Sequence, residues 1–126
     1  MIERQSLEVV IVGKPVSKAR PRFGRGRTYT PQTTVDAEKA VRVAYWQSSV
    51  DQFGRVVMFD GDITINLVFG LGDRRRRDWD NLAKLVCDAL NGIAYRDDAQ
   101  IHRAVVDKLY TDTPYTKIII NGRIEP

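Results

Sequence analysis

The chain has 126 residues, enough for one domain with its own core and no need of a disulfide or metal staple. Hydrophobic residues make up 43% and charged residues 29%, which excludes a disordered chain, and no apolar run approaches the roughly 20 residues of a membrane helix. Lys plus Arg number 20 against 16 for Asp plus Glu, a net charge of +4, and the excess is clustered: Lys14, Lys18, Arg20, Arg22, Arg25 and Arg27 share one stretch without an acid, and Arg74, Arg75, Arg76 and Arg77 form a run, a segregation that points to an anionic partner.

Cys87 is the only cysteine, so an intramolecular disulfide is impossible and a reducing compartment is expected. The N-terminal MIERQSLEVVIV is too short and too charged for a signal peptide, so the expected location is cytoplasmic.

In chain order, residues 7–13 (LEVVIVG) are β-branched and end in glycine, which predicts a strand. Residues 14–31 carry Pro15, Pro21, Pro31, Gly24 and Gly26 and predict a long loop, of a length that is usually either functional or disordered. A helix is expected from about Thr34 to Phe53, with Thr33 and Asp36 as a capping box and an apolar stripe of Ala37, Ala40, Val41, Val43 and Ala44. Residues 62–69 alternate, with Ile63, Ile65, Leu67 and Phe69 on one face, as in a half-buried strand. A second helix is predicted from about Asp80 to Asn91, closing on Gly92. Its apolar face is Leu82, Leu85, Val86, Ala89, Leu90 and Ile93; Asp80, Lys84, Cys87 and Asn91 fall opposite, with Asp88 at the edge. Residues 101–110 and 115–121 predict two strands joined as a hairpin around Asp112-Thr113-Pro114. The expected fold is a single α/β (α+β) domain over residues 1–126, a small mixed β-sheet with two helices packed on it in the order β-α-β-α-β-β.

The segment from Arg74 to Asp98, RRRRDWDNLAKLVCDALNGIAYRDD, holds the candidate chemistry. Asp78 and Asp80 straddle the start of the second helix, where free N–H groups and the helix dipole favour anions. Either could simply cap the helix. A hard cation such as Mg²⁺ takes one or two carboxylates together with waters and substrate phosphate, a need that two or three aspartates meet. Asp97 and Asp98 are the candidates for a third. A helix of 12 residues is about 18 Å long, and the six residues from Gly92 to Asp98 reach about 20 Å when extended. The chain can therefore run back toward the helix N-terminus, although a plain turn before the strand fits the same residues. Lys84 follows Asp80 by four and can pair with Asp80 or Asp88, or offset charge on a scissile phosphate. His102, the lone histidine, is expected to be structural, Cys87 to pack, and Trp79 to anchor its loop in the core, with stacking on DNA as the alternative.

These residues resemble the RusA-type Holliday junction resolvases, a family often found in phages and prophages. RRRRDWDNLAKLVCDALNG followed by YRDDAQI is similar to the family's D-x-D-N-L-x-K-x-x-x-D-A-L block with its downstream D-D pair. KPVSKARPRFGRGRTYTP is similar to the N-terminal loop of one branch, and the likeness spans nearly the whole chain. The resemblance implies that Asp78, Asp80 and Asp98 bind a divalent metal, Mg²⁺ with Mn²⁺ as a substitute, and that Lys84 assists. It implies a homodimer that nicks opposing strands of a four-way DNA junction. On this reading Lys14, Lys18, Arg20, Arg22, Arg25, Arg27, Arg74, Arg75, Arg76 and Arg77 bind DNA phosphates, and Phe23 and Tyr29 stack on unpaired bases. A non-catalytic basic DNA-binding module, with the aspartates as caps, is the alternative. A glycosyltransferase using the D-x-D pair explains neither basic stretch.

Overall fold

Alternation of apolar residues shapes the centre of the molecule. The computed structural model describes residues 3–24 and 26–126. Strand β4 (Phe59–Leu71) buries Ile63, Ile65, Leu67 and Phe69 on one face. Its neighbour β6 (Tyr115–Ile124) buries Thr116, Ile118, Ile120 and Gly122 on the same side. Strands β1 (Gln5–Val12) and β5 (Ile101–Tyr110) complete a four-stranded sheet in the order β1-β6-β4-β5. Pairing is antiparallel except between β4 and β5, so the sheet is mixed, as expected.

Helices α1 (Gln32–Phe53) and α2 (Trp79–Leu90) join this apolar face in one core. In α2 the buried residues are Leu82, Leu85, Val86, Ala89 and Leu90, the stripe expected from spacing; Ile93, just past the helix, is half-buried. Gly92 follows with φ 81°, a left-handed backbone that favours glycine. Among the described residues no helix lies over the opposite face of the sheet, and Val10 and Val12 of β1 stand exposed there.

Three local expectations are corrected. The segments at 101–110 and 115–121 do form strands, but they do not pair as a hairpin: β4 lies between them. Residues 111–114 instead cross the end of β4, with the Thr111 N–H donating to the Leu71 carbonyl at 2.9 Å. Glycines permit the crossing, because a Cβ on Gly70 would fall 2.7 Å from the Tyr115 ring and one on Gly72 2.9 Å from Pro114. Helix α1 begins after Pro31 with no side-chain cap, and Gln32 holds Asp36 at 2.8 Å in place of the Thr33–Asp36 box. It buries Thr34, Val41, Tyr45 and Ser49, leaving Ala40 and Val43 exposed. Polar Thr34 and Ser49 hide the true stripe from a reading of apolar residues alone. Third, the long loop is not free of strands: β2 (Arg22–Gly24) and β3 (Arg27–Tyr29) make a small separate antiparallel ribbon.

Candidate active site and nucleic-acid interface

The arginine run connects the end of β4 to α2, and its members divide. Arg77 is pulled inward: its guanidinium donates to Asp73 at 2.7 Å, with its side chain only 16% exposed. That bond, with the Arg75 N–H, draws the Asp73 carboxyl down to about 2. The Arg77 carbonyl accepts from Lys108 of β5 at 2.8 Å, which ties the run to the sheet. Arg74 lies over the Tyr110 ring, 3.7 Å from its centroid. Arg75 and Arg76 face solvent.

Asp78 occupies the N-cap position of α2, and its carbonyl accepts from Leu82 at 3.2 Å. Its carboxylate makes no capping bond, and Arg76 touches it at 3.3 Å. The capping role open to Asp78 on sequence is therefore not adopted. Asp80 stands in the first turn and accepts the Asn81 N–H at 2.9 Å. Both side chains are exposed at the end of the helix that attracts anions.

One and two turns along the same face come Lys84 and Asp88. The Lys84 ammonium lies 3.2 Å from Asp88, so of its two possible partners it takes Asp88. Asp88 also holds Lys18 at 3.3 Å, and Lys18 reaches Glu38 of α1 at the same distance. Sequence separation conceals this four-residue cluster; only the Lys84–Asp88 spacing signals any part of it.

The two adjacent acids before β5 have different environments. Asp97 caps a 3₁₀ turn (Asp98–Gln100): its side chain accepts the Ala99 N–H at 3.0 Å, and Gln100 closes a capping box with it. The Asp98 N–H donates to the Asn91 side chain at 2.9 Å. Burial, followed by the neighbouring Asp97 and the charge of Asp88, raises the Asp98 carboxyl above the usual range. Asp98 is thus tied to the C-terminal end of α2, whereas Asp78 and Asp80 open its N-terminal end. Among the described residues no three acidic, His or Cys side chains converge as a metal cage. The carboxylates instead lie spread along the polar face of α2.

Around this face Lys14, Arg20, Arg22 and Arg27 are exposed, while Arg25 lies outside the described residues. Phe23 and Tyr29 project from the β2–β3 ribbon, 76% and 45% exposed. Trp79 is 58% exposed and does not anchor its loop in the core, a further correction. The first buried residue of α2 is Leu82, so the opening turn carrying Trp79 lies ahead of the core. His102 is exposed on β5. Burial raises the Cys87 thiol to about 11, in keeping with a packing role.

An α+β domain with a four-stranded sheet and a small ribbon, presenting exposed carboxylates at a helix start beside exposed arginines, has the surface chemistry suited to meeting a phosphate backbone. The chain belongs to the RusA family: the family model described as Endodeoxyribonuclease RusA matches residues 13–121. That span covers the basic loop, both helices and every candidate acid. Comparison with the curated proteins finds no match. No helix among the described residues is long and apolar enough to cross a membrane.

Proposed function

We propose that the protein is a Mg²⁺-dependent endodeoxyribonuclease that resolves four-way DNA junctions by paired nicks, with Asp78, Asp80 and Asp98 as metal ligands and Lys84 as a catalytic cation. The observation that carries the reading is the Asp78 carboxylate, which sits at an N-cap yet leaves the helix N–H groups alone. A structural Asp at this position would ordinarily cap.

The donor chemistry fits the ion. Carboxylate oxygens are hard ligands, and Mg²⁺ is commonly held by one or two of them with water and phosphate oxygens filling the rest; Mn²⁺ accepts the same set. When bound, the metal supplies an activated water and offsets charge on the leaving oxygen. Asp78 and Asp80 would hold one ion at the start of α2, and Asp98, a helix length away beside Asn91, would hold a second. Lys84 releases Asp88 to face the phosphate, where its ammonium offsets developing charge. Arg75, Arg76 and the exposed bases of the loop grip the backbone without reading sequence.

A four-way junction has approximate two-fold symmetry, so a two-fold homodimer would present one site to each of two strands. The sheet face left without a helix, with Val10, Val12, Val105 and Leu109 exposed, supports such pairing. A cytoplasmic setting and a single domain over 1–126 complete the reading.

The test is incubation of the pure protein with labelled four-way junction and Mg²⁺. Paired nicks are expected, together with loss of cutting but retained binding in Asp80→Asn. A non-catalytic DNA-binding module would bind and never cut, whichever metal is supplied.

A further inference from the structure

Lys18 stands in the basic loop, yet its ammonium is directed away from solvent. It lies 3.3 Å from Asp88 of α2 and 3.3 Å from Glu38 of α1, with its side chain 22% exposed. Its backbone N–H donates to the Asn81 carbonyl at 2.9 Å, in the first turn of α2 beside Asp80. One residue thus fastens the loop to both helices through main chain and side chain together. Beyond it the loop carries Arg20, Arg22, Phe23, Arg27 and Tyr29, all exposed.

We infer that Lys18 and Asp88 are positioning residues for DNA binding: their ion pair docks the basic loop on α2 and aims its arginines and aromatics along the strand that reaches the aspartates. Lys18 then contributes to affinity without touching phosphate. The inference rests on the proposed DNA-cutting function for its setting, but it is read by binding alone, with metal chelated.

The two residues carry opposite charges, and this separates positioning from simple electrostatics. Removing the Asp88 charge leaves the protein more basic, which on charge alone tightens binding to DNA. Undocking the loop weakens it. Junction binding in EDTA should be measured for the wild type, Lys18→Met, Asp88→Asn, the double variant and Lys18→Arg, with a thermal melt of each. Lys18→Met and Asp88→Asn are both expected to weaken binding roughly fivefold, the order of a partly buried ion pair's contribution. The double variant should be no weaker than either single one, and Lys18→Arg should bind close to wild type. Trypsin should also cleave the loop faster in both single variants while the rest of the chain resists.

Tighter binding by Asp88→Asn, or additive losses in the double variant, would overturn the inference. A variant that does not melt cooperatively is replaced by Glu38→Gln, which removes the other anchor of Lys18 and must weaken binding in the same way if docking is the cause. A wild type that binds and responds as expected but cuts no junction would refute the proposed function and leave the docking role standing.

Discussion

Asp97 and Asp98 are neighbours in sequence, but only the Asp97 side chain is engaged by the backbone ahead of it, accepting the Ala99 N–H at 3.0 Å as the cap of the 3₁₀ turn. Burial first, and then neighbouring Asp97 and the charge of Asp88, hold the Asp98 carboxyl above its usual range. Asp98→Asn should therefore reduce cleavage by orders of magnitude while leaving the melting temperature in EDTA equal or higher, since it removes repulsion. Asp97→Asn, whose amide oxygen can still cap the turn, should affect cleavage less, and Asp97→Ala should lower the melting temperature through the missing cap. Melting curves and a Mg²⁺ titration of activity on these variants decide it. If Asp97→Asn is the inactive one, the ligand register is wrong by one residue.

This division of labour is legible in the sequence only as a pair of acids. Amphipathic α2 is plain to read because its buried residues are all apolar and its end is marked by Gly92. Helix α1 is harder, since Thr34, Tyr45 and Ser49 line its buried face. Strand β6 is visible as a strand, but its place between β1 and β4 depends on a crossing at Gly70 and Gly72 that no local pattern encodes. The candidate acids stand out as a motif. Their spread along α2, and the link from Lys18 to Asp88, arise from tertiary packing.

The arginine run should not behave as one patch. Arg75 and Arg76 face solvent. Replacing both with Ala should weaken binding to every DNA form and lower the log–log salt slope by about 0.9 for each phosphate that is no longer neutralised. Arg77→Ala breaks the bond to Asp73, so its main effect should be on stability. Salt-dependent binding isotherms and melts of both variants test this. An unchanged slope for the Arg75/Arg76 variant would remove those residues from the DNA.

Exposed aromatics at Phe23 and Trp79 suit bases that have lost their partners. Trp79→Ala and Phe23→Ala should each weaken junction binding by about 1–3 kcal/mol for a stacked base, with a smaller effect on linear duplex, where bases remain stacked on one another. Binding to junction and duplex of equal length makes the comparison. Equal losses on both would mean that these rings touch only backbone.

Cys87 offers a prediction that does not depend on DNA. Burial holds its thiol neutral up to about 11, against an ordinary value of 9.0. A thiol of this kind should react slowly with a thiolate-directed reagent at pH 8 and quickly once the chain unfolds. The linkage has a definite sign. In the unfolded chain the thiol ionises from about 9, while in the folded protein it stays protonated to about 11. Its contribution to stability is therefore complete below pH 9 and declines as the pH rises through that window. Cys87→Ala should lose this component of the alkaline decline. The variant's melting temperature, followed from pH 8 to pH 11, should fall less steeply than that of the wild type; parallel curves, or a thiol that reacts rapidly in the folded protein at pH 8, would show that Cys87 is not buried against ionisation.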